Sequence, residues 1–476
     1  MTNILVISGD KVGSNMGGVG VRNWELAHAL SNHCEVTLAV PDNSDINSER
    51  VHILPFELEG GDLRVYAQRF DVIILHGFVL HFHPYLAEMN IPIAIDLYVP
   101  SLLEGLVWHD KDDWGTWIPS YEEYLRVQLE LLLIGDFFFC ASERQRDYWL
   151  GWLHAQKRIN PHTYRQDPTL RQLIDVVPFG LPSKEPLKTQ PVLKGTHPGI
   201  DLDDKVILWS GGLWDWLDPL TLIRAMAELV PHHPELKLYF LGTRHPNPVV
   251  SGMSMPDQTI ALSKELGLYD RSVFFGEWVA YEERVNYLLD ADLAVITHPA
   301  HIETRFSNRT RVLDCIWTSL PIITTEGDAM ADWVHAENLG FVVPSEDVKA
   351  LSEAIDRMLV SGGRDEYAES FTNLRAQLSW DKVIKPLSEY CSGRYFAPDK
   401  GQYLTEVERY RRDAEVHLQQ VIADKDAFLE QVVRDKDSIM EGILQEKENL
   451  QRRIDQYDNL LPLRMYHGLK RTIGKS

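Results

Sequence analysis

Short apolar runs without polar interruption punctuate the chain, and between them apolar residues recur at helical spacing. Residues 4–8, 36–40, 72–75, 93–95, 137–140 and 175–177 are runs of the first kind. Residues 21–30 are of the second, with Val21, Trp24, Ala27 and Leu30 on one side. Continuous apolar strands between helices predict a parallel sheet covered on both faces. Residues 182–205 carry Pro182, Pro186, Pro191 and Pro198 among charged residues and predict a linker. The pattern then restarts, with strands predicted at 206–209, 237–241, 273–275, 293–296 and 322–324 and helices at 220–230, 312–317 and 349–360. The class is therefore α/β: two Rossmann-like domains, 1–185 and 200–395, facing a cleft. Ligands of such sheets sit at the carboxyl ends of the strands.

From about residue 402 the pattern becomes that of one long helix. Successive blocks of eleven from Asp413 read DAEVHLQQVIA, DKDAFLEQVVR and DKDSIMEGILQ. Leu418/Ile422, Leu429/Val433 and Met440/Leu444 recur in them, and Leu450/Ile454 continue the stripe. An eleven-residue period predicts a straight or right-handed coiled coil over 402–458. At 1.5 Å per residue it would extend roughly 85 Å. Such a stripe calls for a partner, and a homo-oligomer through 402–458 is expected; docking on another protein or on the chain's own body is the alternative. Residues 460–476 are a basic tail, with Leu463, Tyr466, Leu469 and Ile473 at helical spacing beside Arg464, Lys470, Arg471 and Lys475. A basic amphipathic segment would make peripheral contact with an anionic membrane. Pro462 and Gly468 interrupt the helix, and a solvated basic end is the other reading.

Charge separates the same two regions. The 476 residues carry a net charge of −23, while residues 400–476 hold 14 residues of each sign, so all of the excess lies in 1–399. An acidic body argues against a nucleic-acid binder. Cys34, Cys140, Cys315 and Cys391 have no zinc or paired spacing and are expected to be buried apolar residues. The opening residues Met1–Ile7 have no basic leader, and no apolar run is long enough to span a bilayer. A cytoplasmic protein is expected, at the inner face of the membrane if the basic tail makes contact.

Three segments could carry chemistry. Gly17-Gly18-Val19-Gly20 lies between the first strand and a helix. Glycines let a backbone approach a ligand closely, and a helix N-terminus favours anions. Ser210-Gly211-Gly212-Leu213-Trp214-Asp215-Trp216 repeats that arrangement after the first strand of the second domain. Glu303-Thr304-Arg305-Phe306-Ser307-Asn308-Arg309-Thr310-Arg311 leads into a helix carrying Asp314, and arginine forks suit phosphate.

The order of these segments resembles the retaining nucleotide-sugar glycosyltransferases of family 4, which have the GT-B fold. The matching series is the Gly211 turn, LIRA at 222–225, PELKLYFLG at 234–242 and VFFGEWV at 273–279. ADLAVITH at 291–298, LDCIWTSLPIITT at 313–325 and LGFVVPSED at 339–347 complete it. The first half matches through the Gly17–Gly20 turn, FDVIILHG at 70–77 and VVPFGLP at 176–182. The likeness covers about 1–395 and leaves the tail aside.

The resemblance implies transfer of a sugar from a nucleotide diphosphate sugar, bound in the C-terminal domain, to an acceptor hydroxyl with the anomeric configuration retained. It implies a metal-independent hexosyltransferase, with no cofactor beyond the nucleotide sugar as co-substrate. The family pattern is a glutamate, seven residues and a second glutamate. Asp314 stands in the second place and Phe306 in the first, so Glu303 would bind donor sugar hydroxyls through a longer loop. The family's basic pair after the glycine turn is Gly212 and Leu217 here, which leaves the phosphates to Arg305, Arg309, Arg311 or Arg244. Asp314 would meet the ribose, Glu277 and Trp278 would border the base, and Gly17, Gly18 and Gly20 would approach the phosphates. Asp96 and His76, at strand ends, would assist the acceptor, a glycan or lipid-linked molecule of surface-polysaccharide assembly. The missing basic pair leaves a second reading open: a catalytically weakened GT-B scaffold organising a glycan-assembly complex through its coiled coil. A nucleotide-sugar epimerase on the same fold is a third.

Overall fold

A computed structural model describes residues 1–41, 44–109, 113–182, 184–244, 253–360, 363–459 and 461–473, with tail side chains described at 419–457, 459 and 465–471. Residue 183 of the expected linker and residues 460 and 474–476 of the basic tail lie outside the described residues.

Strands β1 Asn3–Ile7, β2 Glu35–Pro41, β3 His52–Phe56, β4 Val72–Leu75, β5 Ile93–Asp96, β6 Phe137–Cys140 and β7 Ile174–Val176 form one sheet. Its order is β3-β2-β1-β4-β5-β6-β7. Strands β8 Lys205–Ser210, β9 Leu236–Leu241, β10 Val273–Phe275, β11 Leu293–Ile296, β12 Ile322–Thr325 and β13 Gly340–Val343 form a second, ordered β10-β9-β8-β11-β12-β13. All pairings in both sheets are parallel. The apolar runs are these strands: β4, β6, β11 and β12 are buried at every position, as sheets with helices on both faces require. Each sheet reverses its order beside its first strand, at β1/β4 and at β8/β11, and the crevice at such a point is where ligands bind. The four cysteines are free and buried.

The expected C-terminal boundary at 395 conceals a crossing. Helix Lys385–Gly393 and the residues around it pack on the first sheet rather than the second. Tyr390 stacks on Phe137 of β6 at 4.7 Å, and the Asp136 carboxylate accepts from Ala397 N at 3.0 Å. Arg158, almost wholly buried, makes a two-pronged bond to buried Asp399 at 3.0 and 3.1 Å. Removing one partner of such a pair leaves an uncompensated buried charge, so this lock ties the chain's return to the first domain.

Residues 1–403 are one compact unit and 404–476 another. The tail is helix Lys400–Asp458, 59 residues, followed by helix Leu461–Ile473. The stripe is broader than the expected pairs: Phe428, Val432, Ile439 and Ile443 are exposed beside Leu429, Val433, Met440 and Leu444. With Leu450 and Ile454 the inner pair repeats every eleven residues, 428/432, 439/443 and 450/454. No helix among the described residues is long and apolar enough to cross a membrane.

Candidate functional site

The loops after β1 and β8 face one another across a cleft of about 240 Å³. On one side it is lined by Gly17, Gly18 and Phe179, on the other by Gly211, Gly212, Trp214, Trp278, Thr310, Arg311 and Asp314. Two helices begin here with their backbone donors uncapped. Helix Gly18–Leu30 starts at Gly17 with no side-chain cap and no acidic residue in its first turn. Helix Thr310–Thr318 starts at Arg309 in the same condition. An uncapped N-terminus presents N–H groups and a partial positive charge, the usual receptor for phosphate. Gly211 has φ +113°, open to glycine and strained for other residues, and a Cβ there would lie 3.3 Å from the Arg311 guanidinium. A Cβ on Gly18 meets nothing within 4 Å, whereas one on Gly20 would run into the Lys11 carbonyl. Gly18 therefore keeps the cleft open, and Gly20 serves packing.

Arg311 is the decisive cation. Its Nη2 donates to the Gly212 carbonyl, its guanidinium lies 5.3 Å from the Trp209 ring centroid, and its Nη1 is buried without a hydrogen-bond partner. Burial first, and the Arg309 charge second, push its pKa down to about 9. Among the described residues no carboxylate pairs with it, so the cleft holds a desolvated cation in want of an anion.

Asp314 is held differently from the expectation. Arg284 Nε donates to its Oδ1 at 3.2 Å, and the Arg284 guanidinium stacks 3.6 Å over the Tyr281 ring. The Tyr281 hydroxyl donates to Glu25 Oε1 at 3.0 Å, which carries the chain of contacts into the first domain. Desolvation raises the Glu25 pKa. Asp314 keeps 29% of its side chain exposed and lines the cleft, so Arg284 orients it without sealing it off.

The remaining expected residues are dispersed. Glu303 is fully buried and receives both terminal nitrogens of Arg309, at 2.9 and 2.6 Å. Neither lines the cleft, because the carboxylate engages both terminal nitrogens of the guanidinium, whose Nε lies 3.8 Å from Asp328 Oδ2; the expected sugar contact of Glu303 and phosphate contact of Arg309 are corrected accordingly. Arg305 is exposed in an outer hollow with Arg144 and His301, and Arg244 pairs with exposed Asp257. Glu277 is exposed, and its carbonyl accepts from Gly242 N at 3.2 Å. Of the four candidate arginines, only Arg311 lines the cleft. Arg284, Tyr281 and Trp214 went unassigned at the level of sequence; Trp214 lay within the quoted glycine segment, whereas nothing in the spacing around Arg284 marks it.

His76 and Asp96 share a second cavity of about 210 Å³ at the ends of β4 and β5. Asp96 is the counterion of Arg22, with Nε–Oδ2 2.5 Å and Nη2–Oδ1 3.1 Å, both side chains buried. It is thus not a free base. His76 Nε2 accepts from Gly9 N at 3.0 Å, and burial lowers its pKa, so the ring is neutral with its proton on Nδ1.

The two sheets are joined near this point. Tyr98 Oη donates to the Asn308 carbonyl at 3.2 Å, and Gln145 Nε2 to the Phe306 carbonyl at 2.8 Å. Glu104 lies beside Glu303 and Arg309. Burial, then the Glu303 charge, push its pKa up to about 7. Among the described residues no group of three His, Cys, Asp or Glu gathers as a metal site.

Residues 204–361 match the family described as glycosyl transferases group 1. A D-inositol 3-phosphate glycosyltransferase of Corynebacterium urealyticum is 28% identical over 204 residues, 43% of this chain and 46% of that protein. One from Acidothermus cellulolyticus is 24% identical over 39% of this chain and 40% of its own length. The chain spans less than half the length of these relatives. The HepE protein of Anabaena, solved with UDP-glucose, superposes with TM-score 0.55 at 14% identity over 83% of this chain and 100% of its own. Sucrose-phosphate synthase of Thermosynechococcus elongatus gives 0.53 at 16% identity, over 87% and 100%. The fold is GT-B: two Rossmann-like domains closing on a cleft.

Proposed function

We propose that this protein transfers a sugar from a nucleoside diphosphate sugar to an acceptor hydroxyl, with retention at the anomeric carbon and without a metal. The observation that carries this reading is the unpaired guanidinium nitrogen of Arg311 between two uncapped helix N-termini in one cleft. In the reaction the bond from C1 to the phosphate oxygen breaks, and its electron pair leaves on the diphosphate. The acceptor oxygen bonds to C1 from the same face, and its proton passes to the departing phosphate. Arg311 and the N–H groups at Gly18 and Thr310 meet the charge that develops, the kind of fixed electrostatic stabilisation that supplies much of an enzyme's rate. Asp314, oriented by Arg284, accepts from the ribose hydroxyls, and Trp214 and Trp278 border the base.

The uridine nucleotide of HepE supports UDP-sugars as the first donors to test. Full-length protein mixed with UDP-, GDP- or ADP-sugars and hydroxylated acceptors should release free nucleoside diphosphate and a glycoside of unchanged anomeric configuration. Glu303, locked by Arg309, favours the weakened scaffold, which would bind the nucleotide and release nothing. The exposed stripe of the tail supports self-association of 402–458 in a straight bundle. Exposed Met465, Tyr466 and Leu469 beside Lys470 and Arg471 support peripheral contact with an anionic membrane, which would bring a lipid-linked acceptor close.

A further inference from the structure

The carboxylate proposed for the ribose is aimed by a chain of contacts that begins in the other domain. Arg284 Nε lies 3.2 Å from Asp314 Oδ1, and Arg284 is itself gripped on several sides. Its Nη1 donates to the Tyr281 carbonyl at 2.6 Å. Its guanidinium lies 3.6 Å from the Tyr281 ring centroid and 5.4 Å from that of Trp317. The placement of Arg284 therefore follows the placement of Tyr281. That residue opens a single turn, Tyr281–Glu283, with no side-chain cap. One turn has little rigidity of its own, because fixing its backbone costs more than its hydrogen bonds return.

The anchors of Tyr281 come from the first domain. Its N–H donates to the Ser14 carbonyl at 3.0 Å, in the loop after β1. Its hydroxyl donates to Glu25 Oε1 at 3.0 Å, on helix Gly18–Leu30. Val21, one turn before Glu25 on that helix, lines the cleft, as do Tyr281, Arg284 and Asp314, whereas Glu25 does not. Glu25 thus acts on the cleft through the Tyr281 hydroxyl. Tyr281 reaches from one domain to the other, and Asp314 keeps its orientation only while the two are joined there. An Asp314 free to turn would have to be ordered at each binding event, and ordering it in advance removes that cost from the affinity.

We infer that Glu25 is a positioning residue for the ribose: through Tyr281 and Arg284 it makes recognition of the ribose hydroxyls by the second domain conditional on contact with the first. The inference rests on the transferase reading above. The test is calorimetric titration of the full-length protein with UDP, GDP and ADP, and with the 2′,3′-dideoxy counterpart of each one that binds. In the wild type the hydroxylated nucleotide should bind about tenfold more tightly than its dideoxy counterpart, as hydrogen bonds to a carboxylate warrant. Tyr281→Phe, which removes a single oxygen, and Glu25→Leu should each reduce that ratio to about threefold or less, with the affinity of the dideoxy nucleotide unchanged. Glu25→Gln, whose amide oxygen still accepts from the Tyr281 hydroxyl, should restore the wild-type ratio. A merely structural role would weaken both nucleotides alike and leave the ratio where it was. That result, or the same ratio in the wild type, Tyr281→Phe and Glu25→Leu, would overturn the proposal. Should Glu25→Leu fail to fold, Tyr281→Phe alone decides. A wild type that binds none of the three nucleotides would overturn the donor assignment as well, whereas nucleotide binding with an unaltered ratio would overturn only the role of Glu25.

Discussion

Arg22, in the helix that follows β1, is buried, and Arg311, in helix Thr310–Thr318 against the turn after β8, is half-buried. Arg22 is clamped by Asp96 and lies 4.6 Å from the Tyr98 ring centroid; Arg311 has a carbonyl and no carboxylate. A buried arginine with its own counterion is a structural element, costly to break and neutral toward a ligand. A half-buried arginine without one is stabilised when an anion arrives. By this contrast an anion gains a partner at Arg311 and none at Arg22.

Breaking the clamp should have the largest effect. Asp96→Ala strands a buried guanidinium, and loss of about 3–5 kcal/mol of stability is expected, read from the urea midpoint. A loss below 1 kcal/mol would mean that Arg22 is not held as the geometry indicates.

The carboxyl at the join of the halves comes next. Glu104 has a folded pKa of about 7, above its ordinary 4.5. The folded state binds the proton more tightly, so stability falls as pH rises from about 4.5 to 7 and stays at the lower level above. Glu104→Gln should remove that slope and stabilise the protein at pH 8 by about 1–3 kcal/mol, with little gain at pH 4.5. Parallel pH profiles for wild type and variant would sink this.

Arg311→Met should move the unfolding midpoint little, by less than about 1 kcal/mol, because the lost hydrogen bond is offset by removal of a desolvated charge. A loss as large as that of Asp96→Ala would erase the distinction between the two arginines.

Smallest of all is the effect expected on the body when residues 404–476 are deleted. Its midpoint should stay where it is, while light scattering reports a fall from oligomer to monomer. An unchanged mass would refute self-association through the tail.

The fold was legible because the strands are short, apolar and buried on both faces, leaving little ambiguity of period. β3 was not, since His52 and Pro55 interrupt its apolar run at the sheet's edge. Nor was the return of 379–400 to the first sheet, because Asp136 meets Ala397, and Arg158 meets Asp399, across more than two hundred residues. Where backbone sets the cleft, the glycines singled out in the sequence, Gly17, Gly18, Gly211 and Gly212, line it. It was read less well where charges choose partners. Glu303 was expected to bind donor sugar hydroxyls and Asp96 to assist the acceptor, yet each pairs with an arginine that spacing alone could not assign. Arg309 and Arg311, two residues apart, point one to a buried carboxylate and the other to the cleft, a difference that only the start of helix Thr310–Thr318 decides.

The central claim is that Arg311 receives the donor's phosphates. Calorimetric titration of wild type and Arg311→Met with whichever of UDP, GDP and ADP the wild type binds, and with the matching nucleoside, tests it directly. A charge-assisted hydrogen bond is worth about 1.5–3 kcal/mol, so the diphosphate should bind at least tenfold more weakly to the variant, with nucleoside affinity unchanged. Equal diphosphate affinity in the two proteins, or an equal loss for the nucleoside, would contradict it.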